Sequence, residues 1–229
     1  MKVVILAGGF GTRLSEYTKK IPKPMVKING KPILLYIIDH YVKFGFKEFY
    51  IALGYKANVI KSYFKNKSLN YKVNLIDTGI NTMTGGRLKR LKRYFDKDEN
   101  FMMTYGDSVA NVNLNKLKKF HEKNKTMVTL TAVKPTARFG AVKIRGNKIT
   151  YFKEKSSVDV GWINGGFMVM NSNFFNYIKN DRTFLEKEPL EKLVKIKQLS
   201  AFRFNGFWQC IDTKRDKDRL EKLLKSKKF

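Results

Sequence analysis

Six residues near the amino terminus, Gly8-Gly9-Phe10-Gly11-Thr12-Arg13, join a backbone that can approach an anion closely to one guanidinium. Glycines admit the conformations that aim successive N–H groups at one point, and such a concavity holds phosphate. Lys23 stands between Pro22 and Pro24, two residues of fixed φ that place one ammonium accurately for clamping a phosphate. Asp107 follows Gly106, and Asp212 follows Gly206-Phe207-Trp208-Gln209-Cys210-Ile211. Both suit Mg2+, which prefers carboxylate and phosphate oxygens, although either aspartate alone reads as a capping or turn residue. In Lys153-Glu154-Lys155 the carboxylate could take sugar hydroxyls and Lys155 a phosphate, while the common reading of such a run is a solvated face. Trp162-Ile163-Asn164-Gly165-Gly166 could wrap a polyol with an amide and a close backbone, or could serve as a tight entry into a strand.

Other chemistries fail at the residues they require. A dinucleotide fingerprint starting at Gly9 needs glycine where Leu14 stands, and no Gly-Lys-Ser/Thr completes a P-loop. His40 and His121 have no partners at metal-ligand spacing, and Cys210, the only cysteine, has no histidine near it in sequence. No Gly-x-Ser-x-Gly elbow is present. Hydride transfer, Walker-type hydrolysis, zinc chemistry and covalent nucleophilic catalysis are therefore unsupported, and the loop reads as phosphate-binding.

The chain of 229 residues, 43% of them hydrophobic, suffices for one large α/β domain with a sizeable core. Lys and Arg number 47 against 19 Asp and Glu, a net charge of +28, which draws polyanions. The basic residues are spread from Lys2 to Lys228, with only Arg87–Arg93 and the carboxyl end dense. That distribution favours a generally solvated basic surface over a nucleic-acid patch. A basic nucleic-acid-binding protein acting through Arg87–Arg93 is the alternative of another class, and it implies salt-dependent binding without turnover. A single cysteine excludes an intrachain disulfide and suits a reducing compartment, and no apolar run approaches the roughly 18 residues of a membrane span. The expectation is a cytoplasmic protein with no membrane partner.

The elements that must position these residues alternate. Strands are expected over Lys2–Ala7, Glu48–Leu53, Val73–Ile76, Phe101–Tyr105 and Met127–Val133, and helices over Pro32–Phe44, near Asn58–Phe64, over Arg87–Phe95 and around Leu114, Leu117 and Phe120. This rhythm predicts βαβ units and a mostly parallel Rossmann-like sheet flanked by helices. After Pro135 a hairpin (Ala141–Ile144 and Lys148–Phe152), a strand (Gly166–Met170), a helix (Glu188–Lys195), a strand (Leu199–Phe204) and a last helix (Lys214–Lys225) predict a smaller mixed α+β portion. The reading is one domain over residues 1–229, with a nucleotide-binding half of about 1–134 and a mixed half of about 135–229 that adds a substrate pocket.

Side by side, these segments resemble the sugar-nucleotide pyrophosphorylases, a nucleotidyltransferase family. The family signal is Leu6-Ala7-Gly8-Gly9-Phe10-Gly11-Thr12-Arg13-Leu14 with Pro22-Lys23-Pro24-Met25. Within the family, Met83-Thr84-Gly85-Gly86-Arg87-Leu88-Lys89-Arg90, Thr104-Tyr105-Gly106-Asp107, Trp162–Phe167 and Gly206-Phe207-Trp208-Gln209 with Asp212-Thr213 resemble the branch that joins CTP to α-D-glucose 1-phosphate. The resemblance implies the nucleotide-diphospho-sugar transferase fold and an Mg2+-dependent reaction giving CDP-glucose and pyrophosphate, a step of polysaccharide precursor synthesis. It implies Arg13 and Lys23 as catalytic residues. Leu6, Ala7, Gly8, Gly9, Phe10, Gly11, Thr12, Thr82, Gly85, Gly86, Arg87 and Gly106 would line the nucleotide, with Thr82 and Arg87 flanking a Gly85-Gly86 turn. Gly140, Glu154, Lys155, Asn164 and Gly165 would take the sugar phosphate, which makes residues of about 135–229 the sugar-phosphate-binding half, and Asp107 and Asp212 would take the metal. A homo-oligomer is compatible with it, and the same chemistry on another nucleotide or sugar 1-phosphate is the near alternative. The chain departs from the pattern in its short Phe64–Val73 connection, in Ser108 for a usual glycine, in Ser156 after Lys155 and in Cys210 beside Asp212.

Overall fold

The computed structural model describes residues 1–136, 140–154 and 161–226. The first half runs β1 (Val3–Leu6), α1 (Ser15–Thr18), β2 (Lys27–Ile28), β3 (Lys31–Pro32), α2 (Ile33–Lys43), β4 (Glu48–Leu53), α3 (Ala57–Phe64) and β5 (Lys72–Asp77). It continues with α4 (Thr84–Arg90), β6 (Asn100–Tyr105), β7 (Ser108–Ala110), α5 (Leu114–Asn124) and β8 (Val128–Val133). The remainder is β9 (Ala141–Arg145), β10 (Lys148–Lys153), β11 (Ile163–Asn171), α6 (Glu188–Lys195), β12 (Leu199–Phe204), β13 (Trp208–Cys210) and α7 (Lys214–Lys225).

Seven strands form one sheet in the order β12-β8-β11-β6-β1-β4-β5. β1 lies parallel between β4 and β6, β5 is parallel to β4, and β12 is parallel to β8. Only β11 runs antiparallel, against both β6 and β8. The mostly parallel α/β architecture is thus present, and the second half of the chain inserts a strand into the middle of the sheet. β1 is buried along its whole length, as a central parallel strand covered on both faces must be. Val3 and Ile5 pack into one core with α2, α3 and α5, while Val4 and Leu6 face the other with Leu88, Leu91, Leu190 and Leu193. Period-two alternation therefore divides one apolar run between two layers.

Three elements differ from expectation. Helix α4 begins at Thr84, so Gly85 and Gly86 form its first turn and the helix ends at Arg90, followed by a 3-10 turn over Lys92–Tyr94. The amides of Gly85 and Gly86 donate to the Thr183 carbonyl at 3.0 and 3.2 Å, so a segment of the second half caps this helix. β11 starts at Ile163 and takes Gly165 and Gly166 into the strand, with a register shift between Asn164 and Met168. The short pair β7–β13 was not foreseen, because three residues are too few for periodicity to register. That pair turns out to control the site.

Candidate active site

The carboxyl ends of β1 and β6 open on a cavity of about 330 Å3, the position at which open parallel sheets receive ligands. Leu6, Ala7, Gly8, Gly9, Phe10, Gly11, Thr12 and Arg13 line it together with Lys23, Thr82, Arg87, Gly106 and Asp107. Gly11 adopts φ +64°, a left-handed conformation that turns the loop into the short 3-10 helix Thr12–Leu14. Thr18 fixes that turn by donating its hydroxyl to the Gly11 carbonyl at 3.0 Å. Thr82 is buried and lines the cavity.

Arg87 works differently from a ligand-facing arginine. It is 4% exposed, and its guanidinium donates to the carbonyls of Leu53 (3.0 Å), Gly79 (2.7 Å), Gly8 (2.8 Å) and Ile80 (3.0 Å) and to the Thr78 hydroxyl (2.9 Å). One side chain therefore ties the glycine loop, the end of β4 and the turn after β5. A Cβ at Gly8 or at Gly54 would collide with this guanidinium, so glycine at both positions makes room for it. Burial, and then the neighbouring Arg90 charge, lower the affinity of the group for its proton. Gly85 and Gly86 do not line the cavity; added side chains there would strike the backbone of Thr183 and Asp181. The glycines expected to touch nucleotide instead let the 181–185 segment pack against α4.

The two aspartates meet. β13 pairs antiparallel with β7, Cys210 opposite Ser108, and the next amide, that of Ile211, donates to the Asp107 carbonyl at 3.0 Å. This register sets Asp212 beside Asp107. The Lys23 ammonium then donates to Asp107 Oδ2 and to Asp212 Oδ1, each at 2.7 Å, while Arg13 donates to Asp212 Oδ2 at 2.7 Å. Pro22 is extended and Lys23-Pro24-Met25 form a 3-10 turn, which holds the lysine backbone in place. Burial lowers the Lys23 pKa, but the Asp107 and Asp212 carboxylates outweigh it and leave the ammonium above the ordinary lysine value. Two carboxylate groups and one nitrogen thus share a point at the lip of the glycine loop.

The sugar-phosphate residues fall into two groups. Asn164 accepts the Gly166 amide at 2.9 Å, and the Gly165 carbonyl accepts the Trp208 indole N–H at 2.8 Å, so both lie near β13. Gly140 and Glu154 adjoin one another at the foot of the β9–β10 hairpin, and neither lines the cavity. Lys155 lies outside the described residues. A second cavity of about 620 Å3 has Asp212, Gln209 and Trp208 in its wall, with Arg215 and Arg219 from the first turns of α7. Lys23 lines the first cavity and its ion-pair partner Asp212 the second. These arginines were not singled out in the sequence, although their spacing of four on a helix was visible.

Tyr105 and Glu186 were also missed. The Tyr105 hydroxyl donates to Glu186 Oε1 at 2.6 Å and Thr84 donates to Glu186 Oε2 at 2.7 Å, joining β6, α4 and the second half behind the cavity. The two histidines are structural, as read: His40 Nε2 meets the Val112 carbonyl and His121 Nδ1 the Thr129 hydroxyl, each at 2.9 Å. Burial, then the Asp212 and Asp107 carboxylates, push the Cys210 thiol up to about 11. Only thiolate alkylates, so iodoacetamide at about pH 8 leaves Cys210 unmodified in the folded protein and labels it after unfolding. Mass spectrometry of the labelled chain checks this, and fast labelling of the folded protein contradicts the placement of that thiol. Among the described residues, no helix is long and apolar enough to cross a membrane.

The chain is 46% identical to the glucose-1-phosphate cytidylyltransferase of Salmonella typhimurium over 97% of its own length and 95% of that protein. It is 40% identical to the probable glucose-1-phosphate cytidylyltransferase of Bacillus subtilis, over 93% of this chain and 92% of the other. Among solved structures, HddC from Yersinia pseudotuberculosis complexed with GMP-PN superposes with a TM-score of 0.74 at 28% identity, covering 97% of this chain and 99% of that one. UDP-glucose pyrophosphorylase complexed with UDP-glucose, at 16% identity and a TM-score of 0.75, shares the fold. Residues 2–216 match the profile described as Nucleotidyl transferase, and the chain belongs to that family of enzymes.

Proposed function

We propose that the protein joins CTP to α-D-glucose 1-phosphate, giving CDP-glucose and pyrophosphate. The observation that carries the reading is the meeting of Asp107 and Asp212 at the Lys23 ammonium, beside a glycine cradle. The relative with 46% identity, which is named for this activity, supports the choice of substrates.

The sugar phosphate needs no general base, since the second pKa of a phosphate is about 6 and the attacking oxygen is already ionised. That oxygen forms a bond to the α-phosphorus while the bond from the α-phosphorus to the bridging oxygen of the β-phosphate breaks, and pyrophosphate departs with the electron pair. What remains for the protein is to align two anions that repel one another and to stabilise charge on the leaving group. The amides of Gly8, Gly9, Gly11 and Thr12 cradle the triphosphate, and Arg13 stands where the leaving pyrophosphate gathers charge. Lys23 bridges phosphate oxygens between the two cavities. Arg215 and Arg219 draw the sugar phosphate into the second cavity, with Asn164 and Gly165 on the sugar side.

The donor set at Asp107 and Asp212 fits a hard divalent cation, which binds through one or two carboxylates and completes its shell with phosphate oxygens and water. When bound, Mg2+ would supply charge neutralisation at the α-phosphate. Incubation with all four NTPs, glucose 1-phosphate and Mg2+, followed by mass spectrometry, tests the assignment. CDP-glucose as the dominant product is expected. A different nucleotide sugar would reassign the base, and no product would end the reading.

A further inference from the structure

The position between the two aspartates is taken by a side chain of the protein itself. The Lys23 nitrogen lies 2.7 Å from Asp107 Oδ2 and 2.7 Å from Asp212 Oδ1, so it engages one oxygen of each carboxylate that a divalent cation would share. An ammonium and a dication cannot both use them, because the two positive charges would then stand within a few ångströms of one another with little water between. Lys23 and Arg13 both pair with these carboxylates, and the Asp216 carboxylate stands next to them, accepting the Asp212 amide at 3.2 Å. A divalent cation entering alone must therefore displace the ammonium from both aspartates.

We infer that Lys23 is a built-in counter-ion that keeps divalent cations out of the Asp107–Asp212 site until a polyphosphate draws its ammonium away. The inference rests on the reading of those aspartates as the cation's ligands. The hardware for the exchange is on either side of the lysine. Its backbone is held by Pro22 and by the 3-10 turn, so the exchange is confined to a flexible four-carbon stem. Lys23 also lines the glycine-loop cavity, where incoming phosphates would offer its ammonium new anionic partners. The aspartates keep their places when it leaves, since Arg13 still holds Asp212 Oδ2 and the Ile211 amide still holds the Asp107 carbonyl. Cation affinity is thereby made conditional on nucleotide, and the vacated ammonium is delivered to the phosphates.

Mn2+ alone is the probe, with the free ion counted by electron paramagnetic resonance and the bound ion by water-proton relaxation. Nucleotide-free wild type should bind Mn2+ weakly, and the α,β-methylene analogue of CTP should produce a tightly held ternary ion. Lys23→Met, which keeps the length of the side chain, should bind Mn2+ at least about tenfold more tightly than wild type without nucleotide. Lys23→Met with Asp107→Asn should lose that gain. Equal Mn2+ affinity in wild type and Lys23→Met overturns the inference. If Lys23→Met does not fold by circular dichroism, the wild type decides: tight nucleotide-independent Mn2+ binding that Asp107→Asn abolishes overturns it, and binding that requires the analogue upholds it. The outcome is separable from the choice of substrates. A product other than CDP-glucose leaves the Mn2+ result standing, whereas CDP-glucose formation with no gain in Lys23→Met sinks this inference alone.

Discussion

Lys23→Ala lowers kcat by at least about 10²–10³-fold, the usual cost of deleting one preorganised electrostatic contact aimed at developing charge. The site gives three reasons to expect the upper part of that range. The ammonium is buried among carboxylates, so its interactions are weakly screened. Its backbone is fixed by flanking prolines, so no neighbouring side chain can replace it without a backbone shift. It also lines one cavity and pairs with Asp212 in the wall of the other, so a single positive charge serves both. Pyrophosphate release measures the effect, with thermal unfolding to show that the variant remains folded. Turnover near that of wild type would remove Lys23 from the mechanism.

Arg87→Ala should do damage of another kind. Truncation removes a buried guanidinium shared by four carbonyls and a hydroxyl: the Gly8 and Leu53 carbonyls keep the Tyr55 and Thr78 amides, the Gly79 and Ile80 carbonyls lose their donor, and a void opens against Gly8 and Gly54. A buried unsatisfied acceptor costs about 1–3 kcal/mol, and water can reach some of these from the cavity side. A net loss of roughly 3 kcal/mol is therefore expected, which for a chain of this size lowers Tm by about 6–12 °C. Arg87→Lys should fail to restore it, because one ammonium cannot span the acceptors that a planar fork reaches. Nucleotide affinity should fall with stability, since the glycine loop loses one of the two donors that hold the Gly8 carbonyl, keeping only the Tyr55 amide. Unchanged melting in Arg87→Ala would show that this network is not what holds the loop.

The contrast between Lys23 and Arg87 marks how much could be read from the chain. Strands with continuous apolar runs, such as Val3–Leu6 and Glu48–Leu53, and amphipathic helices, such as Ile33–Lys43, were legible because burial imposes a period on the sequence. The glycine loop and the Pro-Lys-Pro turn were legible because fixed or unusual backbone geometry restricts residue type. Arg87 was expected on the nucleotide side and lines the glycine-loop cavity, yet the sequence gives no sign that its donors are consumed by protein carbonyls. Those carbonyls belong to Gly8, Leu53, Gly79 and Ile80, which only the packed fold assembles. Gly85 and Gly86 misled for the same reason. A glycine pair that admits a turn equally admits the close approach of another segment, and here the partner is Asp181–Thr183, a hundred residues away in rough terms. Tyr105, Glu186 and Thr84 were invisible as a set because three separate elements contribute them. The meeting of Asp107 with Asp212 was expected from the family resemblance, and the cause lies in a three-residue strand pair too short for any periodic signal.

If these two carboxylates act as one unit, a double-mutant cycle on Asp107→Asn and Asp212→Asn will show it. With kcat measured by pyrophosphate release at saturating Mg2+, each single variant should lose at least about 10²-fold, and the double variant should lose little more than the worse single one. Losses that multiply in the double variant would mean that the aspartates contribute independently, and would contradict the account.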